Sequence, residues 1–177
     1  MTDKLAAIEQ QARKGRNFDT PPLHLWHPPL SGDIDIRIAA DGTWYHEGRP
    51  IVRPALVRLF ASLLRREADG DYYLVTPAEK WRIQVELHPL VVTEIDAEEE
   101  GGRHLLRARL NTGREVVIDA AHPLFLEPAV GEVAAVRLDH GLTAILSRAA
   151  WYRLVDSAED VDGRAQVRSG DEWFPLQ

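Results

Sequence analysis

Between Asp33 and Ile38 polar and apolar residues alternate without a break, DIDIRI. Side chains two apart on a strand share a face, so Ile34, Ile36 and Ile38 point one way and Asp33, Asp35 and Arg37 the other. That is the pattern of a strand buried on one side. Ala40-Asp41-Gly42 then supplies a turn and Thr43-Trp44-Tyr45 a return strand. The same grammar recurs along the chain. Tyr72–Thr76 and Trp81–Val85 flank a turn at Pro77–Lys80, and Val91–Ile95, His104–Leu110 and Glu115–Ile118 follow. Strands near Leu124–Leu126, Glu132–Leu138 and Leu142–Leu146 come next, then a last hairpin marked by Val167 and Trp173. The pattern predicts a strand-dominated α+β fold.

Helices are fewer. Residues 4–14 read as a short one. Pro54 opens a second, where its missing N–H costs nothing, and Leu56, Leu59, Phe60, Leu63 and Leu64 form an apolar stripe over Pro54–Glu67. Ser147 caps a third that runs to Ser157, with Trp151, Tyr152 and Val155 expected inward. The segment Thr20–Leu30 holds four prolines, which disfavour helix and predict an extended strap with Leu23, Leu25 and Trp26 tucked in. The acidic stretch Asp96–Gly102 reads as a mobile, exposed loop.

The halves share an order. Ile36-Arg37-Ile38, a Gly turn, a strand and a helix recur as Val136-Arg137-Leu138, a Gly turn, a strand and a helix. A hairpin follows each helix, with Val75 six positions before Trp81 and Val167 six before Trp173. A duplicated unit is the economical reading. It gives an N-terminal β-rich domain over residues 18–87 with its helix at 54–67, and a C-terminal domain over 88–177 with its helix at 147–157.

The 177 residues contain no cysteine, which excludes disulfides, zinc–thiolate sites and thiol nucleophiles. With no apolar leader or spanning stretch, the expected compartment is the cytoplasm, without membrane attachment. The net charge is −7. Through Leu87 the chain carries 12 basic and 12 acidic residues, and from His88 onward 9 basic and 16 acidic. Duplex nucleic acid is not an expected partner, because its binding relies on neutralising phosphates. A small anion is compatible with the balanced first half.

Asp33, Asp35 and Arg37 on one strand face could hold a metal, a hydroxyl or a partner's arginine, or simply form a solvated face. His24 and His27 sit between prolines, so their rings need not converge on a metal. The chain has no Gly-rich phosphate loop, no G-x-S-x-G elbow and no H-E-x-x-H. Of five tryptophans, most are expected as core anchors. Trp26, in the proline strap, could stack on a base, with core anchoring the first reading for it as well.

The run WHPPLSGDIDIRIAADGTWYHEGRPIVRPALVRLF from Trp26 to Phe60, with DGDYYLVTPAEKWRI from Asp69 to Ile83, resembles the bacterial domain-of-unknown-function family 1285. The likeness is strong over the first half and looser over the second. It implies a duplicated two-domain architecture whose C-terminal half is similar to pleckstrin-homology folds. It also implies a ligand site between the halves, for a nucleotide-like molecule, and a place in signalling. It supplies no reaction and no catalytic residue.

The leading expectation is therefore a non-catalytic binding module needing no cofactor. Trp26 would stack, Asp33 and Asp35 would take hydroxyl or amine groups, and Arg37, Arg53 and Lys80 would meet negative charge on a small ligand. The alternatives are a protein-interaction module without a small ligand and a metal-dependent enzyme using Asp33 and Asp35.

Overall fold

The structure, a computed structural model, describes residues 3–13 and 20–177. The expected first helix is found at Asp3–Arg13 (α1). Its expected last residue, 14, and the expected domain start at 18 lie outside the described residues. The chain divides into two compact units, Met1–Leu87 with His140–Leu142, and His88–Asp139 with Thr143–Gln177.

In the N-terminal unit, β1 (Leu30–Ile38), β2 (Trp44–His46) and β3 (Arg49–Pro50) run as a meander from the middle of a sheet to its edge. Helix α2 (Pro54–Ser62) follows. Then β4 (Leu64–Arg66), β5 (Tyr72–Val75) and β6 (Lys80–Val85) run from the other edge back to the middle. The sheet order is β3-β2-β1-β6-β5-β4, antiparallel except for the central pair β1–β6. The alternation in β1 is kept: Ile34, Ile36 and Ile38 are buried, while Asp33 and Asp35 are exposed. Leu56 and Phe60 are the buried face of α2, and Phe60 stacks on Trp44 at 6.4 Å.

The C-terminal unit holds β7 (Leu90–Glu100), β8 (Arg103–Leu110), β9 (Glu115–Val117), β10 (Leu124–Glu127), β11 (Val133–Arg137) and β12 (Thr143–Leu146) in one sheet. Its order is β10-β11-β12-β7-β8-β9, with β7 and β12 as its parallel pair. Helix α3 (Arg148–Asp156) follows, capped by Ser147, whose Oγ accepts from the Ala150 N–H. A separate sheet of β13 (Glu159–Val161), β14 (Arg164–Ser169) and β15 (Glu172–Pro175) ends the chain. Ser169 ties it in, its Oγ accepting from Leu106 N and donating to Ile118 O.

The two six-stranded sheets have the same topology. Each has an outgoing three-strand meander, an incoming three-strand meander and a parallel seam between its first and sixth strands. The strand-dominated α+β fold and the related halves are as expected. The alignment behind the expected repeat is not. Arg37 lies on the first strand of its sheet and Arg137 on the fifth, while Trp173 belongs to the extra three-stranded sheet. The equivalence runs instead from β1–β6 to β7–β12. The helix is placed differently, between the third and fourth strands in one unit and after the sixth in the other.

Four local expectations are corrected. Helix α2 stops at Ser62 instead of Glu67, because Leu64 leaves it to pair with Leu74 in the sheet, both fully buried. The Asp96–Gly102 segment is the end of a long hairpin, not a loop. Arg107 of β8 pairs with Glu98 and Glu100, and His104 Nδ1 lies 3.0 Å from Glu99, so groups across the ladder offset the like charges of β7. In α3 the buried residues are Ala150 and Leu154, and Tyr152 and Val155 face solvent. The small Ala150 suits the side against β7 and β12, onto which α3 packs. Finally, only Trp44 among the tryptophans is fully buried, and Trp173 is exposed over Arg168.

Candidate functional site

The prolines around residues 21–29 do not leave the strap fully extended. Leu23–Leu25 forms one 3-10 turn. Three residues per turn put Leu23 and Trp26 on one side and throw Leu25 outward. Leu23 is buried with Tyr73 and Val75, Trp26 packs against them, and Leu25 is 67% exposed. The expected burial of Leu25 is thus corrected. The strap lies on the sheet face that carries Tyr73, and β5 alternation puts Leu74 on the other face.

That face bears a polar row set by strand register. Arg65 of β4 opposes Tyr73 of β5, Tyr73 opposes Arg82 of β6, and Arg82 opposes Asp33 of β1. Opposed residues on neighbouring strands project to the same side. Arg65 holds the strap: its Nη1 donates to the carbonyls of Leu23 at 2.8 Å and Trp26 at 2.9 Å. Its Nη2 donates to Glu67 Oε2 at 2.7 Å, and Lys80 Nζ donates to Glu67 Oε1 at 2.7 Å. Lys80 Nζ also lies 4.7 Å from the centre of the Tyr73 ring. Arg82 Nη1 reaches Asp33 at 3.3 Å, and its Nε makes an ion contact with Asp71 at 3.1 Å without hydrogen-bond geometry. The Tyr73 hydroxyl donates to Asp69.

These contacts shift the acids. Burial, the largest influence on Glu67, pushes its carboxyl up. The hydrogen bonds from Lys80 and Arg65, with their charges, together outweigh it and hold the group below its ordinary value. The Tyr73 hydrogen bond holds Asp69 low, helped by the Asp71 N–H. The same bond, then burial, raises the Tyr73 phenol.

Of the six residues singled out by sequence, Trp26, Asp33 and Lys80 belong to this network. Asp35 and Arg37 lie further along β1 on the same face. Arg37 pairs with Glu86 and stacks on Tyr45 at 4.4 Å. Arg53 is not brought in. It precedes α2, and its guanidinium is exposed, 3.8 Å from Glu9 of α1. Both Arg37 and Lys80 carry intramolecular counter-ions, so an anion reaches them only by competition. His24 and His27 form no metal pair. His27 Nε2 instead donates to the His24 carbonyl at 2.9 Å. Among the described residues no three His, Asp or Glu side chains are placed to hold a metal ion.

Sequence reading missed Arg65, Glu67, Tyr73 and Arg82. The signal was present. Asp69-Gly70 between Leu64-Arg65-Arg66 and Tyr72-Tyr73-Leu74 is a hairpin signature, masked by the apolar stripe that runs through Leu63 and Leu64.

A second polar chain lies in the C-terminal unit. His88 Nδ1 is 2.6 Å from Thr143 Oγ1 and its Nε2 is 2.8 Å from Glu127 Oε2. The hydroxyl–imidazole–carboxylate order resembles a proton relay. Thr143 and His88 are both buried, and the contacts satisfy polar groups that would be costly unpaired.

The family model for the N-terminal domain of DUF1285, a domain of unknown function, matches residues 21–87, and that for the C-terminal domain matches 89–176. The chain belongs to the DUF1285 family. A crystal structure of a DUF1285 family protein from Silicibacter pomeroyi DSS-3 is similar to it at a TM-score of 0.87 and 40% identity, covering 99% of this chain and 96% of that one. A DUF1285 family protein from Shewanella baltica OS155 is similar at a TM-score of 0.57 and 31% identity, covering 68% of this chain and 90% of that one. No curated protein matches.

Proposed function

We propose that this DUF1285 protein is a non-catalytic, cytoplasmic binding module for a small anionic, nucleotide-like ligand, and that the ligand meets the strap-side face of the N-terminal sheet. The observation that carries this reading is the register that sets Arg65, Tyr73, Arg82 and Asp33 in one row beside Lys80 and the Trp26 strap. Groups fixed on paired strands present a preorganised surface. Lys80 and Arg82 supply positive charge, Asp33 and Asp35 accept from hydroxyl or amine groups, and Trp26 offers an aromatic edge. A signalling role follows if occupancy changes how the strap packs.

Native mass spectrometry of freshly purified protein tests this. A retained small anion is expected in the wild type and depleted in Lys80→Met, with Arg58→Ala, on the exposed side of α2, unchanged. Absence of a retained molecule, together with no thermal shift across a panel of nucleotides and phosphates, would contradict it. A second reading, a protein-interaction module, is favoured by the exposure of Leu25, Leu30 and Val52, the last at 81%. It predicts a stable complex that survives Lys80→Met and is lost in Val52→Asp.

A further inference from the structure

Two cations converge on one carboxylate in the N-terminal unit, with one oxygen for each. Arg65 Nη2 takes Glu67 Oε2 and Lys80 Nζ takes Oε1, both at 2.7 Å. This is how a guanidinium and an ammonium hold a small oxyanion. The cations sit on strands, Arg65 within β4 and Lys80 at the start of β6. Their counter-ion does not. Glu67 lies just past β4, where the turn to β5 begins: its N–H donates to Asp71 O, and its carbonyl accepts from Gly70 N.

The seat does not depend on Glu67 for its shape. Arg65 is fixed separately by the Leu23 and Trp26 carbonyls. Lys80 rests on the Tyr73 ring, and its backbone N–H donates to Ser31 Oγ at 3.0 Å. Only 11% of the Arg65 side chain and 18% of the Lys80 side chain are exposed, so an anion bound there is partly shielded from water. Glu67 is the more exposed partner, at 25%.

We propose that Glu67 is an internal stand-in for the ligand's anionic group. A phosphoryl or carboxylate oxyanion takes the Arg65–Lys80 seat when Glu67 turns to solvent. This rests on the anionic-ligand reading above and locates its anion subsite. Two cations face the seat, so a dianionic phosphoryl group neutralises both while a carboxylate neutralises one. The seat therefore selects phosphate over carboxylate. Because Arg65 also holds the strap, occupancy of the seat is coupled to Trp26.

Calorimetric titration of the full chain with inorganic phosphate, and separately with acetate, tests the proposal in wild type, Glu67→Gln, Lys80→Met and the double variant. Glu67→Gln is expected to bind phosphate about tenfold tighter than wild type or better, since the internal competitor has lost its charge. Acetate is expected to bind it more weakly than phosphate, and Lys80→Met is expected to abolish the gain. Glu67→Ala is the second variant should Glu67→Gln fail to fold by circular dichroism. Equal phosphate affinity in wild type and Glu67→Gln overturns the stand-in and leaves the anionic-ligand reading in place. A gain that survives Lys80→Met overturns the seat, and acetate matching phosphate overturns the selectivity. Absence of phosphate binding to any variant, with no anion retained in native mass spectrometry, removes both readings.

Discussion

The two sheets share one strand order and use charge in opposite ways. In the N-terminal unit the ion network is partly buried under a strap, with the Arg65 side chain 11% exposed. In the C-terminal unit the β7–β8 hairpin carries an open ladder. There Arg107 meets Glu98 and Glu100, and Arg109, 51% exposed, meets Glu94 and Glu115. Water and salt screen the ladder, so its pairs add little net stability and chiefly allow an acidic strand to pair at all. The strap network is less screened. Removing one member leaves a charge or a carbonyl without its partner. A shared topology thus carries both an open, screened ladder and a partly buried network, and burial of the charges separates them.

The largest expected effect is from Arg65→Met, which strips two strap carbonyls and Glu67 of a donor. A loss of about 2–3 kcal/mol is expected in urea unfolding. A change under about 0.5 kcal/mol would place this network with the exposed ladder.

Next is a pH effect. The Glu67 carboxyl is held below its ordinary value of 4.5 in the folded chain. Such a group stabilises the fold fully above the unfolded value, and that contribution is lost as pH falls through the folded value. The stability gap between wild type and Glu67→Gln should be full near neutrality and shrink below about pH 4.5. A gap independent of pH would contradict the assignment.

Smaller effects belong to exposed pairs. Arg37→Ala removes a half-exposed pair with Glu86 and should cost about 0–1 kcal/mol with the fold intact. Arg107→Ala should cost a similar amount, and raising the salt concentration should erase the difference from wild type. Arg58→Ala, on the outer side of α2, should be silent in unfolding and in binding.

Much of the fold was legible because alternation and turn residues are local signals. DIDIRI places β1 and its faces, and Ser147 marks the start of α3. What failed depended on partners distant in sequence. The Asp96–Gly102 acids look repulsive until Arg107 is set opposite them. Leu63 and Leu64 extend a helical stripe until Leu74 claims Leu64 for the sheet. The site fared similarly. Trp26, Asp33 and Lys80 stand out by their local setting, the proline strap, the alternating strand and the turn before β6. Arg65, Tyr73 and Arg82 form a row only once three strands are in register, and no local pattern states that register.

Amide chemical-shift mapping of the isotopically labelled full chain, titrated with inorganic phosphate and then with adenosine monophosphate, tests the central claim most directly. The shifts are expected to cluster at Leu23–Trp26, Arg65–Glu67, Tyr73 and Lys80–Arg82, leaving the Asp96–Arg107 hairpin still. Shifts confined to residues 88–177, or none at saturating ligand, would contradict a binding site on the strap face of the N-terminal sheet.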